Sequence, residues 1–123
     1  MKYALLIHDD EKAWEKLTEK ERAKIYAEYG QFTQSIKASG QYVGGDQLQP
    51  AASATSVRVR DGKRVVTDGP FAETREQLGG YYLVDAKNLD EAIGLAAKIP
   101  SAKIGTIEVR PVVEMGQQAA VAS

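Results

Sequence analysis

Residues 55–67 read T-S-V-R-V-R-D-G-K-R-V-V-T. From Thr55 to Arg60 apolar and polar side chains alternate with period two, the pattern of a half-exposed strand. Asp61-Gly62 follows, a pair suited to the type I′ turn, whose two central residues both need positive φ. Lys63 to Thr67 then predicts the returning arm. This hairpin decides the fold, because it can be lifted out without disturbing the order of elements on either side.

Upstream, Tyr3 to Ile7 (Y-A-L-L-I) is an apolar run of strand length, expected to end at His8-Asp9-Asp10. Thr18-Glu19-Lys20-Glu21 is a capping box, with Ile25, Tyr29, Phe32 and Ile36 on one helical stripe after it. Gly40 suits the left-handed position that closes a helix, so a helix is predicted over about 18–39. Gln41 to Leu48 predicts a short strand bent at Gly44-Gly45, and Pro50 to Ala54 a linker.

Downstream, Gly80 to Asp85 holds Y-Y-L-V, a strand. Asn88 and Glu91 cap a second helix with the stripe Leu89, Ile93 and Ala96, flanked by Ala92 and Ala97 and stopped by Pro100. Thr106 to Arg110 alternates again as the last strand. One domain is expected over residues 1–115. Residues 116–123 (G-Q-Q-A-A-V-A-S) carry no pattern and are expected to form a disordered tail.

With the hairpin set aside the order is βαββαβ, the split βαβ of a ferredoxin-like α+β fold. Two helices would cover one sheet face. Tyr3 to Ile7 and Tyr81 to Val84 are apolar on both faces, so the second face also needs cover. A second copy of the chain is the simplest cover, which predicts a homodimer in the form of an α+β barrel.

Composition removes several classes of function. Sixteen basic residues against seventeen acidic ones give a net charge of −1, so there is no electrostatic case for nucleic acid or an anionic membrane. There is no cysteine, which excludes disulfides, thiolate catalysis and Cys-ligated zinc. No secretory h-region opens the chain, and no apolar run approaches the roughly 20 residues that span a bilayer. A cytoplasmic location follows as the expectation. Neither a metal nor another cofactor is expected: one histidine with adjacent carboxylates seldom encloses a cation.

Candidate chemistry gathers in two places. His8 is the single histidine. Beside Asp9 and Asp10 it could serve as a general base oriented by a carboxylate, or it could simply end a strand. The second place is Thr67 to Tyr82, T-D-G-P-F-A-E-T-R-E-Q-L-G-G-Y-Y. Asp68-Gly69-Pro70 has turn chemistry, with Asp68 expected to bond its own backbone and Phe71 to bury itself under the loop. Asp68, Glu73 and Glu76 are candidate acid/base or hydrogen-bonding groups, and the loop is equally suited to a subunit contact. Gly79-Gly80 precedes a strand and not a helix, so it is no phosphate cradle. Trp14, Tyr26, Tyr29, Tyr42, Tyr81 and Tyr82 are suited either to the core or to the wall of an apolar cavity between sheet and helix.

The stretch from Thr67 to Tyr82 resembles the signature of DGPF-domain proteins, a bacterial branch of the YCII-related family. The opening M-K-Y-A-L-L-I, V-G-G-D-Q-L-Q-P, T-S-V-R-V-R-D-G and the closing E-V-R-P-V are similar as well, so the resemblance spans about residues 1–115. It implies a dimeric α+β barrel of ferredoxin-like subunits. It also implies association with sigma factors, whose genes often neighbour those of the DGPF branch. One YCII-related branch contains dechlorinating enzymes with a proposed His–Asp centre. Those two positions fall here on Tyr29 and Ile99, and that pair of residues cannot supply the same proton transfer.

The function expected is therefore a small-molecule-binding homodimer, either an enzyme or a sensor associated with transcription. Its pocket would lie between the sheet and the first helix, formed by His8, Tyr29, Asp68, Phe71, Glu73, Glu76 and Tyr82, with His8 and Asp68 as catalytic candidates. The alternative is a non-enzymatic interaction module partnered with a sigma factor or similar regulator.

Overall fold

The structure is a computed structural model and describes residues 1–114; the expected tail at 116–123 lies outside the described residues. The elements are β1 (Lys2–Asp9), α1 (Glu11–Glu15), α2 (Glu19–Ala38), β2 (Tyr42–Gln47), β3 (Thr55–Arg60), β4 (Lys63–Asp68), β5 (Gln77–Asp85), α3 (Leu89–Ala97) and β6 (Thr106–Pro111). Two 3-10 turns, at Ala51–Ser53 and Pro100–Lys103, link them. The fold is α+β. A four-stranded antiparallel sheet runs in the order β2-β5-β1-β6, and β3 and β4 form a separate two-stranded ribbon.

Local chemistry explains most boundaries. The Thr18 hydroxyl accepts from the Glu21 amide while the Glu21 carboxylate accepts from the Thr18 amide, the reciprocal cap that starts α2. Gly40, at φ 77°, closes that helix in the left-handed region. Asp61 and Gly62, at φ 52° and 74°, form the tight turn between β3 and β4. The Asn88 side chain accepts from the Glu91 amide and starts α3.

Three expectations are corrected. His8 and Asp9 do not end the first strand but continue it, because β5 and β6 pair with them. A short helix, α1, precedes the capping box, nucleated by Asp10, whose carboxylate accepts from the Lys12 and Ala13 amides. In α3 the small Ala92 and Ala96 turn to the core with Leu95, while Leu89 and Ile93 are about half exposed.

The core lies between one face of the sheet and the helices. Tyr3, Leu5 and Ile7 of β1 and Tyr82 and Val84 of β5 meet Phe32 and Ile36 of α2, with Ile99 below them. Phe32 and Tyr82 pack edge to face at 5.1 Å between centroids. The opposite face carries Ala4, Leu6 and Leu83, partly buried. No helix among the described residues is long and apolar enough to cross a membrane.

Candidate functional site

Strand alternation sets the site. Tyr3, Leu5 and Ile7 point to the helices, so Asp9 does as well, and His8 points to the opposite face. There His8 Nε2 stands 3.3 Å from Glu108 Oε1, without a well-aligned hydrogen bond. The Arg110 guanidinium, whose Nε donates to Glu108 at 2.9 Å, holds that carboxyl below its ordinary value.

Asp9 sits at the wall of a half-open cavity of about 480 Å³ between the sheet, α1 and α2. That volume falls within the roughly 300–1,000 Å³ of small-molecule sites. Trp14, Tyr26, Tyr29, Tyr42, Tyr81 and Tyr82 all line it. Most are held by a hydrogen bond, which fixes the shape of the wall. Tyr82 shares a 2.7 Å bond with the Thr33 hydroxyl, Tyr26 accepts from Gln47 at 3.2 Å, and Tyr81 donates to Asp46 at 3.0 Å. Trp14 packs edge to face on Tyr26 at 5.6 Å. Glu11 ties α1 to the cavity rim by accepting the Ala51 amide through both oxygens, at 2.9 and 3.0 Å.

A polar chain crosses the wall of this cavity. The buried Ser101 hydroxyl donates to Asp9 Oδ2 at 3.3 Å. Its one proton is thereby used, so the 2.5 Å contact with Tyr29 Oη has Tyr29 as donor. The second Asp9 oxygen, Oδ1, is buried with no hydrogen-bond partner. It lies against Gly105, where a Cβ would stand 2.7 Å from it and 2.3 Å from the His8 carbonyl oxygen. A side chain at 105 would therefore push β1 aside. Gly79, the residue unpaired in the bulge between Ile7 and His8, lies near Asp9 Oδ2, which a Cβ at 79 would meet at 3.8 Å, an ordinary contact distance.

Burial pushes the Asp9 carboxyl above its ordinary value; the Ser101 hydrogen bond opposes this and the nearby Glu76 adds to it. Burial likewise pushes the Tyr29 hydroxyl up to about 12. Tyr29 thus stays protonated at neutral pH and acts as a hydrogen-bond donor.

The family model for YCII-related domains matches residues 1–116, nearly the full chain. The chain belongs to this family. The chain is also similar to a protein of Rhizobium meliloti (strain 1021) described as uncharacterised, 34% identical over 113 residues, which are 90% of this chain and 91% of that one.

Of the seven pocket residues expected from sequence, the YCII-related fold brings Tyr29 and Tyr82 to the cavity. His8, Asp68, Phe71, Glu73 and Glu76 line no part of it. Asp68 ends β4 opposite Thr55, and its turn is held by the Gly69 amide donating to the Ala54 carbonyl at 2.7 Å and by the Ser56 hydroxyl donating to the Gly69 carbonyl, not by the Asp68 carboxylate. Phe71 is not buried but 82% exposed, because no element among the described residues covers the loop that carries it. Glu76 accepts from Thr106 at 2.7 Å, beside β6. Ile99 is buried in the core.

Asp9 and Ser101 are the residues that sequence reasoning missed as pocket groups. Asp9 was findable: it continues the odd-numbered series Tyr3, Leu5, Ile7. Ser101 had no such signal, since its place depends on the 3-10 turn after Pro100 packing against β1.

Proposed function

We propose that this protein binds a small organic molecule in the cavity between the sheet and α2, with Asp9 as the group that takes the ligand's hydrogen bond or proton. One observation carries the reading. A half-buried carboxyl, raised by its burial and held by a single hydroxyl, stands in an aromatic-walled cavity of ligand size. Such a carboxyl is suited to proton exchange with a bound molecule, with Tyr29 and Ser101 positioning it. An enzyme or a sensor would use the same arrangement.

The architecture proposed for this reading is a ferredoxin-like subunit paired with a second copy through the uncovered sheet face, as an α+β barrel. The turn Asp68-Gly69-Pro70-Phe71 supports placement in the DGPF branch. A second reading is favoured by Phe71, whose ring stands 82% exposed. The loop would then be a protein-contact surface, and a sigma factor is the partner that the DGPF resemblance suggests.

A ligand-observed NMR screen of metabolite mixtures tests the first reading, run on the wild type, Asp9→Asn and Asp68→Asn. Binding weakened by Asp9→Asn and unaffected by Asp68→Asn is the expected result. Binding weakened by Asp68→Asn alone would move the site to the loop. No binding from a broad library would favour the protein-contact reading.

A further inference from the structure

The charge of the cavity wall has one sign. Asp9, Glu11, Glu15 and Asp46 line it, and among the described residues no lysine, arginine or histidine does. The chain has sixteen lysines and arginines against seventeen acids, so this segregation is not a consequence of composition. The nearest described cation–ring contact involves Lys37, 5.0 Å from the centre of the Tyr42 ring, and Lys37 is not among the cavity residues.

Aromatic rings form a further part of the wall, independently of the carboxylates. Trp14, Tyr26, Tyr29, Tyr42 and Tyr82 contribute rings to it, and a ring face attracts a cation within about 6 Å of its centroid; the Tyr42 ring already holds Lys37 at 5.0 Å. An anionic ligand entering here would lose water and meet four carboxyl groups with no cation to pair with. A neutral ligand would find apolar surface but leave the field of the cavity unused.

Resting on the small-molecule reading above, we propose that the ligand is an organic cation, an amine or quaternary ammonium on an apolar body. The charged nitrogen would sit between the Asp9 carboxyl and the aromatic faces. The Asp9 carboxyl lines the cavity and, among the described residues, accepts only the Ser101 hydroxyl, through Oδ2. A cation beside it would favour its ionised form and so oppose the effect of burial. Glu15, exposed at the end of α1, would contribute longer-range attraction at the entrance.

The test uses three probes of similar size: phenethylammonium, 2-phenylethanol and 3-phenylpropionate. Trp14 is the single tryptophan and lines the cavity, so its fluorescence reports occupancy at pH 7. Phenethylammonium is expected to bind roughly tenfold more tightly than the alcohol, with no response to the carboxylate. Glu15→Gln is expected to weaken the cation about 2–5-fold while leaving the alcohol unchanged. Alcohol or carboxylate binding as tight as the cation would overturn the charge assignment and leave the small-molecule reading standing. No response to any of the three would overturn the assignment, and the metabolite screen would then judge the broader reading separately.

Discussion

The helix-covered face of the main sheet and the β3–β4 ribbon each set a row of apolar side chains along antiparallel strands, Tyr3, Leu5 and Ile7 in one and Val57, Val59 and Val66 in the other, yet only the first encloses anything. In β1, Tyr3, Leu5 and Ile7 are nearly inaccessible because β5, β6 and the helices surround them. In the ribbon, Val57 and Val66 pair directly across the strands and are 59% and 58% exposed. A two-stranded ribbon has no second layer, so its apolar side chains gain only each other. Periodicity fixes which way a side chain points; what lies there depends on pairing between distant segments.

The largest test of that comparison is Leu5→Ala. Leu5 is fully buried at the centre of the core cluster, and its loss removes apolar contact and leaves a cavity, at a cost of about 2–5 kcal/mol. Urea denaturation measures this directly. A loss below about 1 kcal/mol would mean that the sheet–helix interface is loosely packed.

The same contrast explains how much could be read from the chain. The strands, the capping box at Thr18, the Asn88 cap and the Asp61-Gly62 turn are local chemistry, and they were legible. The cavity between sheet and first helix was legible as a place, through its six aromatics. Its polar centre was read one residue out of phase: His8 drew attention as the single histidine, whereas the alternation of β1 puts Asp9 inside. The loop from Gly69 to Glu76 looked like a site because it is polar and rich in turn-formers. In the structure its groups mostly bond within the loop or to its neighbours, as when Gln77 donates to the Thr74 carbonyl at 3.2 Å and Arg75 approaches Asp10 at 3.5 Å. Turn chemistry identified a loop, and only tertiary packing could show that the loop stands apart from the cavity.

Next in size is Ser101→Ala. The change removes a buried hydroxyl that serves Asp9 and Tyr29 together, so both lose a partner at a cost of about 1–3 kcal/mol. It also removes the hydrogen bond that opposes the rise of the Asp9 carboxyl, which should titrate higher still in the variant. Denaturation gives the first effect, and carbon-detected NMR titration of the Asp9 carboxyl gives the second. An unchanged titration would show that Ser101 does not act on Asp9.

A smaller effect separates Asp9 from the surface carboxyls by its sign. The folded-state value of Asp9 lies above its unfolded value, so the folded protein binds that proton more tightly. The stability this contributes is present below the unfolded value and lost as pH rises through the folded one. Asp10, Glu21 and Glu108 are lowered, so their contributions are present at higher pH and lost as pH falls through their folded values. The variant Asp9→Asn removes only the first kind. Its stability relative to wild type should therefore increase from acid toward neutral pH, measured by paired urea titrations. The opposite slope would place Asp9 in a stabilising ionic contact and undo the reading of it as an under-partnered carboxyl.

The smallest expected change is on the ribbon. Val66→Thr keeps the branched shape and replaces a methyl by a hydroxyl at a site 58% open to water. Unfolding of the isolated chain, followed at low protein concentration, should shift by no more than about 0.5 kcal/mol. A shift above about 1 kcal/mol would mean that the ribbon is packed against the body of the subunit, and the contrast with β1 would fail. Concentration sharpens the comparison. If a second copy covers the Val57–Val66 pair, the variant's deficit must grow as the protein is concentrated, because association stabilises whatever it buries. Sedimentation of wild type and variant over the same range then distinguishes a ribbon that stays in water from one that serves as a subunit contact.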